Sequence, residues 1–153
     1  MKLSTHLTMA EMIRSETAKR KGISNTPKPE HLDNMKVLAK KIFEPIRNHF
    51  KTAIYISSGY RSEALNKAIK GSKSSQHSLG QAMDIDMDGS GTISNRDVFY
   101  YIKENIEFDQ LIWEFGDNYN PDWVHVSYAE GKNRKEVLVA YKMLGMTRYK
   151  PYK

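Results

Sequence analysis

Ser75-Gln76-His77-Ser78-Leu79-Gly80-Gln81-Ala82-Met83-Asp84 is the stretch on which the reading of the whole chain turns. The Ser-rich run from Gly71 to Gly80 reads as a loop, and Ala82 to Asp86 reads as a strand. His77 then stands at the end of a loop and Asp84 inside a strand. Further on, Asp122-Trp123-Val124-His125-Val126-Ser127 holds another strand, Trp123 to Ser127. Its period of two puts Trp123 and His125 on one face, with Val124 and Val126 on the other. Two histidines and one carboxylate can hold zinc and leave a fourth tetrahedral position open, as hydrolysis requires. Asp122, three residues before His125, is the candidate general base for a zinc-activated water. The same residue types are also ordinary in loops and strands, so spacing alone leaves a structural role open beside the zinc role.

Outward from this stretch, the N-terminal third reads as helical. Thr8-Met9-Ala10-Glu11 matches a capping box, predicting a helix to about Lys21 that Gly22 stops. Leu32, Met35, Leu38, Ile42 and Ile46 recur at three and four residues, predicting a helix over 30–49 that Pro45 kinks. Ala53 to Ser57 reads as a buried strand, followed by a short helix from Ser62 to Lys70 and, later, a helix from Asn95 to about Asn105. Gln110 to Phe115 and Trp123 to Ser127 read as strands around a Gly116–Pro121 turn, and Val137 to Tyr141 as a last strand. Helices first, then strands with one helix between, predict an α+β fold with a small, mostly antiparallel sheet. The tail from Tyr141 to Lys153 is left either docked or mobile.

Composition bounds the function. The chain has 153 residues, 39% hydrophobic and 27% charged, which suits one globular domain over 1–153, read as a monomer. It has no cysteine, so disulfides, thiolate zinc ligands and cysteine nucleophiles are all excluded. No apolar run approaches the roughly 20 residues of a membrane span. The N-terminus lacks the apolar core of a secretory signal, so the expected place of synthesis is the cytoplasm. The formal charge of +6 favours an anionic partner. The basic residues are scattered rather than grouped in a stripe, which argues against nucleic acid as that partner.

Ser75-x-His77-x-x-Gly80-x-Ala82-x-Asp84, followed by Asp122-x-x-His125, resembles the zinc D-alanyl-D-alanine carboxypeptidase family. That family belongs to a larger group with the lysostaphin-type peptidases and the hedgehog signalling domain. Ser58-Gly59-Tyr60-Arg61-Ser62 resembles a second family segment, and the likeness runs from about Leu3 to Val139. It implies His77, Asp84 and His125 as zinc ligands, Asp122 as general base and Arg61 as the residue that binds substrate and stabilises the oxyanion. Many members carry Glu at the position of Asp122, which has a shorter arm. A guanidinium suits Arg61's role because it is permanently charged and presents a fork of donors. Ser75 is either a hydrogen-bond donor to substrate or a loop residue. Glu114 is either a partner of a zinc histidine or a solvated strand residue. The implied activity is hydrolysis of peptidoglycan stem peptides at D-Ala–D-Ala, at L-Ala–D-Glu or at a cross-bridge. A small basic catalytic domain of this kind also resembles a phage endolysin, acting on the wall once released. The other reading is a non-catalytic, hedgehog-like binding module.

Asp86 to Asp97 fits a twelve-residue calcium loop. Asp86, Asp88 and Ser90 stand at positions 1, 3 and 5, Gly91 at the turn, Thr92 at the backbone-carbonyl position and Asp97 at the last. The final acid is short for a bidentate ligand, and a strand rather than a helix precedes the loop. The alternative is a turn rich in Asp and Gly in which Ser94 caps the next helix. Calcium bound here would order the strand that carries Asp84 and so tune activity.

Overall fold

The computed structural model describes residues 1–153. Its helices are α1 (Met9–Ile13), α2 (Glu16–Lys21), α3 (Pro29–Leu38), α4 (Glu44–Phe50), α5 (Glu63–Ala68) and α6 (Asn95–Asn105). Its strands are β1 (Ile56–Ser58), β2 (Ala82–Ile85), β3 (Gln110–Glu114), β4 (Trp123–Ser127), β5 (Glu136–Met143) and β6 (Met146–Pro151). They form one six-stranded sheet in the order β1-β2-β4-β3-β5-β6. Every pairing is antiparallel except β3 with β5. The fold is therefore α+β with a mostly antiparallel sheet. No helix is long and apolar enough to cross a membrane.

The helix predicted over 9–21 is two helices. The Thr8 capping box forms as expected. At Arg14 the backbone turns extended, and the Ser15 side chain caps α2 by accepting from the Ala18 N–H. A serine followed by an acid starts a new helix better than it continues an old one. Arg14 spans the break and donates to the Ile56 carbonyl, which ties the corner to β1. Gly22 ends α2 in the left-handed conformation. The second predicted helix is continuous from Pro29 to Phe50, but Ala39–Phe43 winds as a wide π turn. Pro45 explains it: its ring would meet the Lys41 carbonyl of a regular helix, and a wider turn just ahead relieves that clash.

The sheet has two distinct faces. Met83 and Ile85 of β2, Leu111 and Trp113 of β3, and Val124 and Val126 of β4 join the hydrophobic core. Met35, Leu38, Ile42, Phe43 and Ile46 from the long helical segment complete that core, with Val98, Phe99 and Ile102 from α6. The alternate residues, Ala82, Asp84, Ile112, Glu114, Trp123 and His125, face the other way. One face is thus sealed by helices, and the opposite face is left for chemistry.

The tail is neither mobile nor merely docked. β5 and β6 form a hairpin, with Met143 opposite Met146. Leu144 (φ 52°) and Gly145 (φ 76°) make its two-residue turn. Both residues are left-handed, as the twist of a tight hairpin demands. Beyond it, Tyr152 packs on Phe99 and Trp113, and its hydroxyl bonds that of Tyr100 at 2.8 Å. Leu144 is 94% exposed, so its side chain contributes no burial while its backbone is strained. Leu144→Asn is therefore expected to stabilise the protein by roughly 0.5–1 kcal/mol, read as a higher urea midpoint at unchanged slope.

Candidate metal centre

His77 lies in a single 3-10 turn, Gln76–Leu79, whose ends dictate its position. The Ser75 hydroxyl caps the turn by accepting from the His77 N–H at 3.2 Å. Gly80 closes it at φ 73°, and a Cβ there would run into the His31 carbonyl oxygen of α3. A residue with a side chain would be both strained and obstructed. Ser75 therefore builds the turn, and it also lines the cleft above it. The His77 ring is oriented from the other side: its Nδ1 lies 2.7 Å from the Gly59 carbonyl oxygen. A carbonyl only accepts, so Nδ1 carries the proton and Nε2 presents a lone pair.

That lone pair points at Asp84, whose Oδ1 is 3.3 Å from His77 Nε2. The same oxygen is 2.9 Å from Nδ1 of His125, the residue directly opposite Asp84 in the β2–β4 pairing. His77, Asp84 and His125 are 3%, 8% and 9% exposed, so bulk water does little to separate them. A carboxylate oxygen faced by a histidine lone pair in a nearly dry site calls for positive charge between them. The ligand atoms all lie within 4.8 Å of one another. Edges near 3 Å suit a tetrahedral ion with bonds of about 2.0 Å, and two imidazoles with one carboxylate suit zinc. The residues present therefore fit a zinc ion. Burial alone would raise the Asp84 carboxyl; positive charge on the histidine side outweighs burial and holds it far below the usual range.

Arg61 and Asp122, the other two residues expected to act at the site, divide. Arg61 is brought in: its backbone N–H bonds the His77 carbonyl at 3.1 Å, and its side chain lines the same cleft. Its buried Nε has no partner within the chain. Burial lowers the guanidinium's pKa, and the nearby Asp84 and Glu114 charges act against that. Asp122 is not brought in. It is exposed and lines a separate cavity with Asp117, Lys142 and Tyr152. The cause is backbone pinning and strand parity. The Asp122 N–H bonds the Glu114 carbonyl, and its own carbonyl accepts from the fully buried Asn95. It immediately precedes Trp123, which faces the cleft, so its side chain turns the other way.

Glu114 is the acid that the sheet brings to the cleft beside the metal ligands. On β3 it pairs with Trp123, next to the pairing of Ile112 with His125, and so shares the face of the metal ligands. It is 7% exposed and lines the cleft. Burial pushes its carboxyl up to about 7; the Asp84 charge adds to this, while His125 and Arg61 oppose it. The alternation of Gln110 to Phe115 hinted at this placement, but only the β3–β4 register makes Glu114 a neighbour of His125.

The Asp86–Asp97 loop shows how the residues of the expected calcium loop are placed. His77, Asp84 and His125 are the one group of three or more histidines and acids whose ligand atoms converge. The Asp97 carboxylate is engaged by the Ser94 N–H in a capping box at the start of α6. Asp86 accepts from the Asp88 N–H and from Asn95. The Ser90 hydroxyl lies 3.1 Å from that of Thr92. The capping role expected of Ser94 forms, and these contacts give the calcium reading no support of their own.

A sheet with a His-Asp-His cluster on one face, an acid near neutrality and an arginine beside it defines a metallopeptidase centre. The family model of Peptidase M15 matches residues 5–127, and the chain belongs to that family. No curated protein matches the chain. The protein is accordingly a zinc metallopeptidase, with the metal held by residues that this family match spans.

Raised burial cost at Glu114 has a thermodynamic consequence once zinc is chelated. Its folded-state pKa of about 7 exceeds the ordinary 4.5, so the folded form holds an extra proton between those values. Stability of the metal-free protein then falls as pH rises through that window. Glu114→Gln removes the titration. The variant should match the wild type near pH 4 and exceed it by on the order of 3 kcal/mol above pH 7, read by urea unfolding with a chelator present.

Proposed function

We propose that this protein hydrolyses an amide bond in peptidoglycan stem peptides, with Glu114 rather than Asp122 moving the proton. The observation that carries the reading is the position of Glu114: nearly buried, in the cleft and on the face of the metal ligands, whereas Asp122 is exposed and lines a separate cavity. A general base must lie within reach of the proton it takes, so geometry decides first. Peptidoglycan as substrate is supported by the Peptidase M15 match and by a basic chain that suits an anionic wall.

Bound zinc supplies Lewis acidity, making water acidic enough to react near neutral pH and polarising a carbonyl. The chain's own residues do the rest. Glu114 accepts a proton from the attacking water on a carboxylate oxygen and returns it to the nitrogen of the leaving amine. Arg61 offers its guanidinium to the negative charge that builds on the carbonyl oxygen. His77 is held for its task by the Gly59 carbonyl, so no reorientation is needed during turnover.

The test is muropeptide mass spectrometry on purified peptidoglycan with zinc-loaded protein. Loss of terminal alanine identifies a carboxypeptidase, and a cut inside the stem or bridge an endopeptidase. Glu114→Gln is expected to lower turnover by about 10²- to 10⁴-fold with zinc retained. Asp122→Asn should stay within a few-fold of wild type. The reverse order would return the base to Asp122. No cleavage by wild type with zinc bound would favour a binding module.

A further inference from the structure

The family match stops at residue 127, but the cleft does not. Leu138 of β5 and Thr147 and Tyr149 of β6 line it together with Arg61, His77 and Glu114. The register places Tyr149 closely. Glu114 pairs with Ala140, and Ala140 pairs with Tyr149. Residues directly opposite across a sheet share a face, so Trp123, Glu114, Ala140 and Tyr149 form one row on the ligand side. Adjacent strands are about 4.8 Å apart, which puts the Tyr149 backbone roughly 10 Å from that of Glu114.

Between them stands only the methyl group of Ala140, itself 1% exposed. Nothing taller keeps the tyrosine ring from leaning over the row. Tyr149 is 54% exposed, so the ring forms a free rim rather than part of the core. Burial, then the charges of Glu114 and Asp84, push its phenol pKa up, and no hydrogen bond is among the influences. The phenol is thus near both acids, protonated at neutral pH, and has its proton available to a ligand. Arg61 enters the cleft from the segment that follows β1, at the other edge of the sheet. A peptide crossing the metal ligands would lie between Arg61 and Tyr149.

We infer that Tyr149 is a substrate-positioning residue whose phenol O–H donates a hydrogen bond to a carbonyl or carboxylate oxygen of the bound peptide. The C-terminal hairpin is then a working wall of the cleft. This rests on the reading that the cleft takes a stem peptide, but it concerns binding and does not require turnover. Ala140 is part of the device, because a larger residue in that row would hold the ring off.

The test uses the full zinc-loaded chain and a purified stem pentapeptide. Affinity is measured by calorimetric titration and, separately, kcat and KM by hydrolysis. Tyr149→Phe should weaken Kd and raise KM about five- to tenfold, the size of one lost hydrogen bond, with zinc content, melting temperature and kcat within about twofold. Tyr141→Phe, on the opposite face of the same hairpin, should behave as wild type. Equal Kd for wild type and Tyr149→Phe overturns the proposal. So does a pattern in which Tyr149→Phe is normal and only Tyr149→Ala is weak, since the ring and not the donor would then be at work. If wild type binds the peptide without cutting it, hydrolysis fails as the function while Kd still judges Tyr149. If wild type binds no stem peptide, both readings fall together.

Discussion

One carboxylate oxygen of Asp84 faces two histidine nitrogens, at 3.3 Å from His77 and 2.9 Å from His125, in a site nearly closed to water. Such an arrangement is costly unless a cation completes it, because neither the charge nor the lone pairs have solvent to fall back on. The rest of the domain makes that arrangement affordable. The Gly59 carbonyl orients one ring, the β2–β4 register sets the other opposite the carboxylate, and the Ser75 cap with Gly80 fixes the turn that delivers His77. Zinc and the fold are therefore linked in free energy: whatever stabilises the ion there also stabilises the sheet and turn that gather its ligands.

Strand parity divides the molecule. β4 gives Val124 and Val126 to the helices and Trp123 and His125 to the cleft, and β2 does the same with Met83 and Ile85 against Ala82 and Asp84. A slip of one residue in either strand would bury a metal ligand in the core and expose a branched apolar side chain. Core packing thus enforces the geometry of the site. α6 serves both ends of this scheme. Val98, Phe99 and Ile102 hold the sheet from behind, and Asn95 at its start bonds the Met87 N–H and the carbonyls of Pro121 and Asp122. The buried asparagine joins the exit of β2 to the entry of β4 and leaves Asp122 facing solvent.

Much of the fold was legible, and the failures have identifiable causes. The capping box at Thr8, the stop at Gly22, the cap at Ser94 and the alternation around His125 are local signals, and each formed. The break at Ser15 was also local, a cap in the middle of an apparent helix, but the longer apolar pattern masked it. The strand expected over 53–57 is ordered as β1 only over Ile56–Ser58, because pairing with β2 starts there. The tail could not be read because its strands are largely exposed and its turn is Leu-Gly, a poor local signal for a hairpin. The Asp86–Asp97 loop carries two local signals at once, a calcium spacing and a helix cap, and the cap at Ser94 is the one whose contacts are present.

The sequence by itself determined the α+β class, from periods of two and 3.6, while the grouping of His77 and Asp84 with His125 was implied by the resemblance of their motifs to a known family. It could not determine which acid faces the cleft. Asp122 and Glu114 lie eight residues apart on two strands joined by a turn, and both have a cleft histidine or its partner nearby in the chain. Only the cross-strand register and the pinning of the Asp122 backbone turn one outward and bury the other beside His125. The same holds for Tyr149, which is far from every ligand in sequence and reaches their face only because β5 adds to β3 and β6 adds to β5. Chemistry resides in side chains, but proximity is decided by hydrogen-bonded register, which no single strand contains.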